Sequence, residues 1–195
     1  MYITKIEKFG KSKVKIYIDE EYKFCLYSKE LSTYKVNEDD ELSSEEYEEL
    51  YYLNLKRAKK YVLNILKRMD KTRYEIITKL RQAGYNEDII DKTIEYIDNY
   101  NYIDDGRYAR QYIRYKRDYK SKREIKYLLL KKGVSKDIIE EALLEEYKSE
   151  ETALIKVINK KRKGKDELSA KEKRRLILNL YNKGFEMDLI KKHFF

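Results

Sequence analysis

"LRQAGYNEDII" (80–90), "LLKKGVSKDII" (129–139) and "LYNKGFEMDLI" (180–190) are three versions of one pattern. In each copy a leucine lies four residues before a glycine, and an aspartate lies four residues after it. The glycines are 49 and 51 residues apart, a spacing typical of stacked helical units. The pattern therefore predicts that one helical unit occurs three times in the chain.

The glycine of each copy predicts where one helix ends and the next begins. Gly84, Gly133 and Gly184 can adopt the left-handed conformation that closes a helix. The leucine and the residue after the glycine then make the apolar contact of a Schellman-type end. Asn86 and Ser135 are expected to cap the helix that follows, whose apolar residues recur on one face.

A capping-box pattern precedes each glycine-terminated helix, and a further helix precedes that. The capping boxes are Thr72–Glu75, Ser121–Glu124 and Ser169–Glu172. The preceding helices contain Ala58, Ala109 and Ala153. Each repeat is therefore expected to have three helices, which we call A, B and C.

The N-terminal part has a different pattern. Residues 2–8, 13–18 and 22–27 are short, rich in β-branched and aromatic residues, and separated by turn sequences. They predict a small antiparallel meander, followed by a helix that begins at Ser43 or Ser44. The expected fold is mostly helical, with this β meander and three tandem three-helix repeats. The predicted domains are a β-rich extension with the start of a linking helix (1–50) and repeats at 51–103, 104–148 and 149–195.

Composition limits the functional classes. The chain has 195 residues, of which 42% are apolar and 42% charged, with a net charge of +9, which favours an anionic partner. It contains no apolar run long enough for a transmembrane helix and no signal-peptide pattern, so a cytoplasmic protein is expected. With Cys25 as the single cysteine, neither an internal disulfide nor a CxxC metal site can form.

Charge is distributed unevenly within each repeat. Residues 56–82 contain ten basic and two acidic side chains, and residues 107–132 contain eleven and two. The C helices, 86–100 and 135–147, each have a net charge of −4. Each repeat is therefore expected to present a cationic surface on helices A and B and an acidic surface on helix C.

The cationic surface of repeat 2 includes a regular arginine stripe. At 100° per residue its members fall within an arc of about 80°. They are Arg107, Arg110, Arg114 and Arg117, hereafter the arginine stripe. The opposite face is expected to pack inward through Tyr108, Ala109, Tyr112, Ile113 and Tyr115. Since no acid interrupts the stripe, we expect it to be open to a polyanion.

A helix-turn-helix reader of DNA would insert its last helix into the major groove. Here that helix begins with acids, which disfavours base reading and favours sequence-independent phosphate contacts. The candidate phosphate-binding residues are the arginine stripe with Lys59, Lys60, Lys122, Arg123, Lys126, Lys161, Arg162, Lys163, Arg174 and Arg175. The candidate protein-binding residues on the C helices are Asp91, Glu95, Glu140, Glu141 and Glu145.

From about Lys56 to Phe195 the sequence resembles the RecX family of regulatory proteins. The resemblance rests on R57-A-x-x-Y61-x-L63-x-x-L66-x-R68, on T72-R-x-E75 and L80-x-x-x-G84, on D104-D105-x-x-Y108-A109, and on the second and third copies ending in "LKKGV" and "NKGF". It implies three tandem repeats in a curved, elongated molecule. It also implies binding to RecA filaments on DNA and restraint of strand exchange, ATP hydrolysis and coprotease activity, hence a part in DNA repair and the SOS response. Binding to single- and double-stranded DNA without sequence preference, a monomeric state, no metal or other cofactor and no catalytic residue are further implications.

Two alternatives remain open. An enzyme is disfavoured because His193 occupies a packing position, Cys25 alternates inward in a strand, and Asp104 and Asp105 are explained by a helix N-cap. Glu124 with Lys126 resembles part of a nuclease site, yet Glu124 already belongs to a capping box. A DNA- or RNA-binding protein that acts without RecA is the second alternative.

Overall fold

The computed structural model describes residues 1–162 and 167–194. The chain divides into two compact units, Met1–Ile103 and Asp104–Phe195. Within the described residues, the first unit contains one sheet and four helices and the second contains six helices. The predicted fold class, mostly helical with a small N-terminal meander, is confirmed.

The sheet has three antiparallel strands in chain order: β1 (Ile3–Phe9), β2 (Lys13–Ile18) and β3 (Glu21–Tyr27). In the central strand Ile16 pairs with Ile6 on one side and Phe24 on the other. Asp19 and Glu20 both have positive φ, which suits the tight turn between β2 and β3. The buried face of the sheet packs with residues that follow it, including Val36, Leu42 and Leu50.

Helix α1 (Glu30–Thr33) is short, and helix α2 (Ser44–Leu66) joins the sheet to repeat 1. The predicted start is confirmed, because Ser43 and Glu46 form a reciprocal capping box. The helix continues without a break through residues 51–56, where the net charge of the sequence changes. Arg57 donates to Glu30 at 2.8 Å, and buried Asn54 donates to the Leu50 carbonyl. The sheet and repeat 1 therefore share one continuous helix rather than a flexible linker.

Three groups of helices follow the predicted pattern. Repeat 1 comprises the second half of α2 with α3 (Arg73–Ala83) and α4 (Glu87–Asn99). Repeat 2 comprises α5 (Asp105–Lys116), α6 (Lys122–Lys131) and α7 (Lys136–Glu146). Repeat 3 comprises α8 (Glu151–Arg162), α9 (Ala170–Asn182) and α10 (Met187–Lys192). Each group has its own apolar cluster, in which the predicted alanine of helix A is fully buried.

The glycine-terminated helices end as the sequence predicts. Gly84, Gly133 and Gly184 have φ values of 88°, 77° and 89°. In repeat 1 the Tyr85 amide donates to the Leu80 carbonyl at 3.1 Å and the Gly84 amide donates to the Arg81 carbonyl at 3.0 Å. The same two bonds occur in the other repeats, so all three ends are Schellman motifs.

The capping predictions are correct except at one residue. Thr72–Glu75 and Ser169–Glu172 form reciprocal boxes, and Asn86 and Ser135 cap α4 and α7. At Ser121 the hydroxyl accepts from the Glu124 amide at 3.0 Å, but the Glu124 carboxylate accepts from Lys120. The Ser121 hydroxyl also donates to the Lys183 carbonyl at 2.6 Å. The reciprocal box predicted there is therefore replaced by a contact with repeat 3.

The turns at Gly84 and Gly184 pack closely against preceding elements. A methyl group at Gly84 would lie 2.6 Å from the Phe9 ring and 3.1 Å from the Cys25 sulfur. One at Gly184 would lie 2.9 Å from Cβ of Arg123 and 3.0 Å from the Ser121 hydroxyl. Both positions therefore need glycine for its missing side chain as well as for its positive φ.

The half-buried carboxylate of Glu150 lies at the contact between repeats 2 and 3. It accepts hydrogen bonds from the backbone amides of Lys122 and Glu186, at the starts of α6 and α10. Burial raises the pKa of Glu150 despite these bonds. Tyr147 adds a hydrogen bond from its hydroxyl to the Lys120 carbonyl at 2.7 Å.

Candidate nucleic-acid interface

The arginine stripe lies on the outer side of α5. Asp104 caps this helix by accepting from the Arg107 amide at 2.8 Å, as expected of an N-cap. Ala109 and Ile113 on the other side are fully buried in repeat 2. The helical face predicted for the stripe is therefore correct.

The tyrosines of α5 divide into two groups. The rings of Tyr108 and Tyr112 stack with centroids 6.2 Å apart and pack against the core of repeat 2, as predicted. The inward prediction for Tyr115 is wrong, because 73% of its surface is exposed. Around the helix axis Tyr115 points in nearly the same direction as Tyr108. It lies further along the helix, however, beyond Ile113, the last buried residue of α5. The core of the repeat does not extend that far along the helix.

The arginine stripe is not electrically separate from helix C. Arg114 donates through Nε and Nη2 to the Glu146 carboxylate at 2.7 and 2.5 Å. Arg117 donates to the Glu146 carbonyl at 2.8 Å, and Arg110 lies 3.8 Å from Glu145. These cations, Arg114 first among them, lower the pKa of Glu146. The prediction of separate cationic and acidic surfaces is therefore wrong for three of the four arginines.

Repeat 1 shows why these pairs form, because its helices A and C make the same contact with other side chains. Counted from the glycine, Glu145 and Glu146 occupy the positions of Tyr96 and Ile97. Ile97 is fully buried, and Lys59 lies over the Tyr96 ring at 4.5 Å. Repeat 2 thus replaces an apolar and cation–π contact with ion pairs. Extending the repeat alignment to these positions would have shown that acids replace an aromatic and a buried apolar residue there.

The three paired arginines still reach solvent. Their side chains retain between 34% and 59% exposure, whereas that of Glu146 retains only 12%. An incoming phosphate can therefore approach the guanidinium groups from outside, in competition with Glu145 and Glu146. Arg107 is exposed at the start of the helix.

Helix α6 contributes the next cations. Lys122 and Arg123 are exposed, whereas Lys126 forms an ion pair with Glu140. All three, with Lys148 and Lys192, line a cleft of about 860 Å³ between repeats 2 and 3. This cleft collects cations from α6, from α10 and from the segment between α7 and α8, and the acids Glu140, Glu150, Glu186 and Asp188 also line it.

Candidates in the other repeats are more dispersed. Lys60, Lys161, Arg174 and Arg175 are exposed, and Arg162 is half-buried. Lys161, Arg162 and Arg175 line a second, smaller cleft of about 410 Å³. Lys163 lies outside the described residues.

The acidic candidates also divide. Asp91 and Glu141 are exposed on α4 and α7. Glu95 forms an ion pair with Lys92 at 3.1 Å, while Glu140 and Glu145 are engaged by Lys126 and Arg110. The acidic surface available to a protein partner is therefore narrower than the sequence suggested.

The residues considered for catalysis occupy structural positions. Cys25 is buried, which raises the pKa of its thiol, and it lies against the Gly84 turn. His193 is at the end of α10, with Nε2 3.3 Å from Glu151. Across residues 1–162 and 167–194, no cluster of three or more potential metal ligands occurs. Within the same residues, none of the helices combines the length and the apolar character that a membrane span requires.

Tandem three-helix units, whose B helices end at glycine turns and whose A and B helices carry cations, define a class of helical repeat proteins. Residues 58–96, 104–143 and 149–194 match the family models for the first, second and third three-helix domains of RecX. The chain belongs to the RecX family, as the sequence resemblance indicated.

Full-length relatives agree with this assignment. The regulatory protein RecX of Clostridium botulinum is 32% identical over 97% of this chain and 92% of its own length. That of Caldanaerobacter subterraneus is 35% identical over 98% of both chains. A crystal structure of regulatory protein RecX superposes with a TM-score of 0.65 at 21% identity, covering 97% of each chain, and so supports the fold.

Proposed function

We propose that this chain regulates RecA recombinase by binding RecA filaments on DNA, where it inhibits strand exchange, ATP hydrolysis and coprotease activity. The observation that supports this proposal best is membership of the RecX family, whose curated relatives are named regulatory proteins. The exposed cations of α5 and α6 provide the contact with the DNA component.

DNA binding takes place through phosphates. Arg107, Lys122 and Arg123 are exposed and form the first contacts. Arg114 then exchanges the Glu146 carboxylate for phosphate oxygens, which accept the same bidentate geometry, and Arg117 exchanges its single bond to the Glu146 carbonyl. None of these contacts reads a base edge, so binding is independent of sequence and weakens steeply with salt.

The protein component meets the acidic residues on the C helices. Asp91 and Glu141 are exposed there and complement a basic protein surface. Because α7 also holds the ion-pair partners of the stripe, protein and DNA contacts are adjacent in repeat 2.

The test is co-sedimentation with RecA filaments assembled on single-stranded DNA with ATP, together with measurement of their ATPase rate. We expect co-sedimentation and inhibition at less than one molecule per RecA subunit. A DNA competitor that acts without RecA would instead need to coat the DNA stoichiometrically. Inhibition only at coating amounts, with no binding to RecA, would contradict the proposal and favour that alternative.

A second experiment isolates the acidic surface. The double variant D91K/E141K should lose affinity for RecA filaments but not for bare DNA. The added lysines repel a basic protein surface, whereas their positive charge favours DNA. The double variant E48K/E49K, at two exposed acids of α2, controls for the same added charge. Equal filament binding by both variants would remove the C helices from the partner interface.

A further inference from the structure

The end of α5 and the turn after it expose two aromatic rings. Tyr115 is 73% exposed and Tyr119 is 62% exposed. By contrast, Tyr108, Tyr112 and Tyr147 of the same repeat pack against its core. A single exposed tyrosine needs no explanation, but this pair is combined with a local concentration of cations.

The two tyrosines lie on one helical surface. The Tyr119 amide donates to the Lys116 carbonyl at 2.9 Å, and the Lys120 amide donates to the same carbonyl at 3.0 Å. The backbone therefore keeps a helical course beyond the formal end of α5. Residues four apart in such a course are neighbours, with Cβ atoms about 6 Å apart. That separation suits successive bases of an extended single strand.

Each ring has a lysine over one face. Lys116 Nζ lies 4.4 Å from the centroid of Tyr115, and Lys156 Nζ lies 4.9 Å from that of Tyr119. Lys156 is also 2.9 Å from Asp118, which fixes its position beside the ring. Because both tyrosines are mostly exposed, a flat group can stack on the open side of each ring. The ammonium group then remains next to that group and can contact an attached phosphate.

We propose that Tyr115 and Tyr119 form a stacking platform for the bases of single-stranded nucleic acid, with Lys116 and Lys156 beside its phosphates. This inference deepens the proposed DNA-binding function and rests on it. A duplex hides its base faces within the stack, whereas a single strand offers them to aromatic side chains. Stacking tolerates every base, so the platform adds a preference for single strands without adding sequence specificity.

The two lysines support a nucleic acid as the occupant rather than an apolar protein segment. Lys116 and Lys156 lie over the rings, whereas the arginine stripe lies on another side of α5. A ligand on this surface meets two rings, each with a cation beside it, which is the arrangement of sequence-tolerant single-strand binders. Tyr52 provides a contrast, because it is 63% exposed but lies beside the acids Glu48 and Glu49 in the sequence.

The test compares the double variant Y115L/Y119L with the wild type by fluorescence anisotropy, using labelled oligothymidine and a duplex of equal length. Leucine keeps the surface apolar but removes the π face. Each lost base stack should weaken oligothymidine binding about fivefold or more, while duplex affinity should change less than about twofold. Tyr52→Leu should change neither affinity, and the Y115F/Y119F variant should retain both.

Circular dichroism verifies that the leucine variant is folded. Photocrosslinking of 5-iodouracil-substituted DNA to the wild type independently identifies the residues that contact the bases. Crosslinks are expected at Tyr115 or Tyr119. If the folded leucine variant binds both DNAs like the wild type, the platform is wrong while general DNA binding stands. Equal losses on both DNAs would also refute a single-strand platform. If the wild type binds neither DNA, the platform and the DNA part of the proposed function both fail.

Discussion

Replacing Gly184 with alanine tests the close contact between the α9–α10 turn and α6. At φ 89° an alanine is in the left-handed region, and its methyl group would lie 2.9 Å from Cβ of Arg123. That Cβ is fixed by the backbone of α6, so it cannot rotate away. The methyl group would also crowd the Ser121 hydroxyl, which donates to the Lys183 carbonyl.

The expected loss of stability has two parts. The left-handed backbone costs an L-residue roughly 1–2 kcal/mol. Overpacking adds about 1–3 kcal/mol, and reduced freedom of the unfolded chain returns about 0.4–1 kcal/mol. We therefore expect Gly184→Ala to lower the free energy of unfolding by about 2–4 kcal/mol. Gly10→Ala is the matched control, since Gly10 has φ 72° but no atom within 4 Å of the added methyl group. It should cost only about 0.5–1 kcal/mol.

The measurement is urea denaturation followed by circular dichroism at 222 nm, with thermal unfolding as a second observable. Gly184 lies in the second unit, Asp104–Phe195. For a unit of that length, the melting temperature of the Gly184 variant should be on the order of 10 °C lower than that of the wild type. Equal losses in the Gly184 and Gly10 variants would show that backbone strain alone matters. The close packing of the turn on Arg123 would then be refuted.

Three further changes test the electrostatics. Replacing the whole arginine stripe with alanine should weaken DNA binding and leave helicity unchanged. The slope of log affinity against log salt concentration should become shallower by up to about 0.9 for each lost phosphate contact. An unchanged slope on duplex DNA would refute the role of the stripe. Glu146→Gln should have the opposite effect, tighter binding and a steeper slope, because it removes the carboxylate charge that competes for Arg114. Weaker DNA binding by the folded variant would contradict competition. Burial raises the pKa of Glu150, so the folded state holds this proton to higher pH than the unfolded chain. The stabilisation from the raised Glu150 pKa is present below the ordinary carboxyl pKa and is lost as pH rises through the raised value. The wild type should therefore gain stability relative to Glu150→Gln as the pH is lowered from 7 to 4. Parallel pH profiles of the two proteins in urea titrations would count against the raised pKa.

The sequence predicted those features whose partners are close together in the chain. The Schellman ends required only a leucine, a glycine and the residue that follows, all within six positions, such as Leu80 to Tyr85. The N-caps and the strands are equally local. Geometry over one turn of chain determines these structures, so pattern alone was sufficient.

The electrostatics of the candidate interface depended on contacts between distant residues. Arg114 and Glu146 are 32 residues apart, and their pairing follows from the packing of α5 against α7. A helical-wheel count gives the angle of a side chain but not how far along the axis the core extends, which is why Tyr115 was placed inward. The charge counts per helix were correct, but they did not show which charges neutralise each other.

The N-terminal sheet has a role that follows from the turn at Gly84. The corresponding turn at Gly184 rests on a helix of the repeat before it, whereas repeat 1 has no repeat before it. Lys13 donates to the Ala83 carbonyl at 3.0 Å and Tyr22 donates to the Gly84 carbonyl, so the strands occupy that vacant place. Within the first unit, the sheet thus covers the turn at which helix B of repeat 1 ends. A shortened chain beginning at repeat 1 would expose the Ala83 and Gly84 carbonyls and the surface that the strands cover, and we expect such a chain to self-associate.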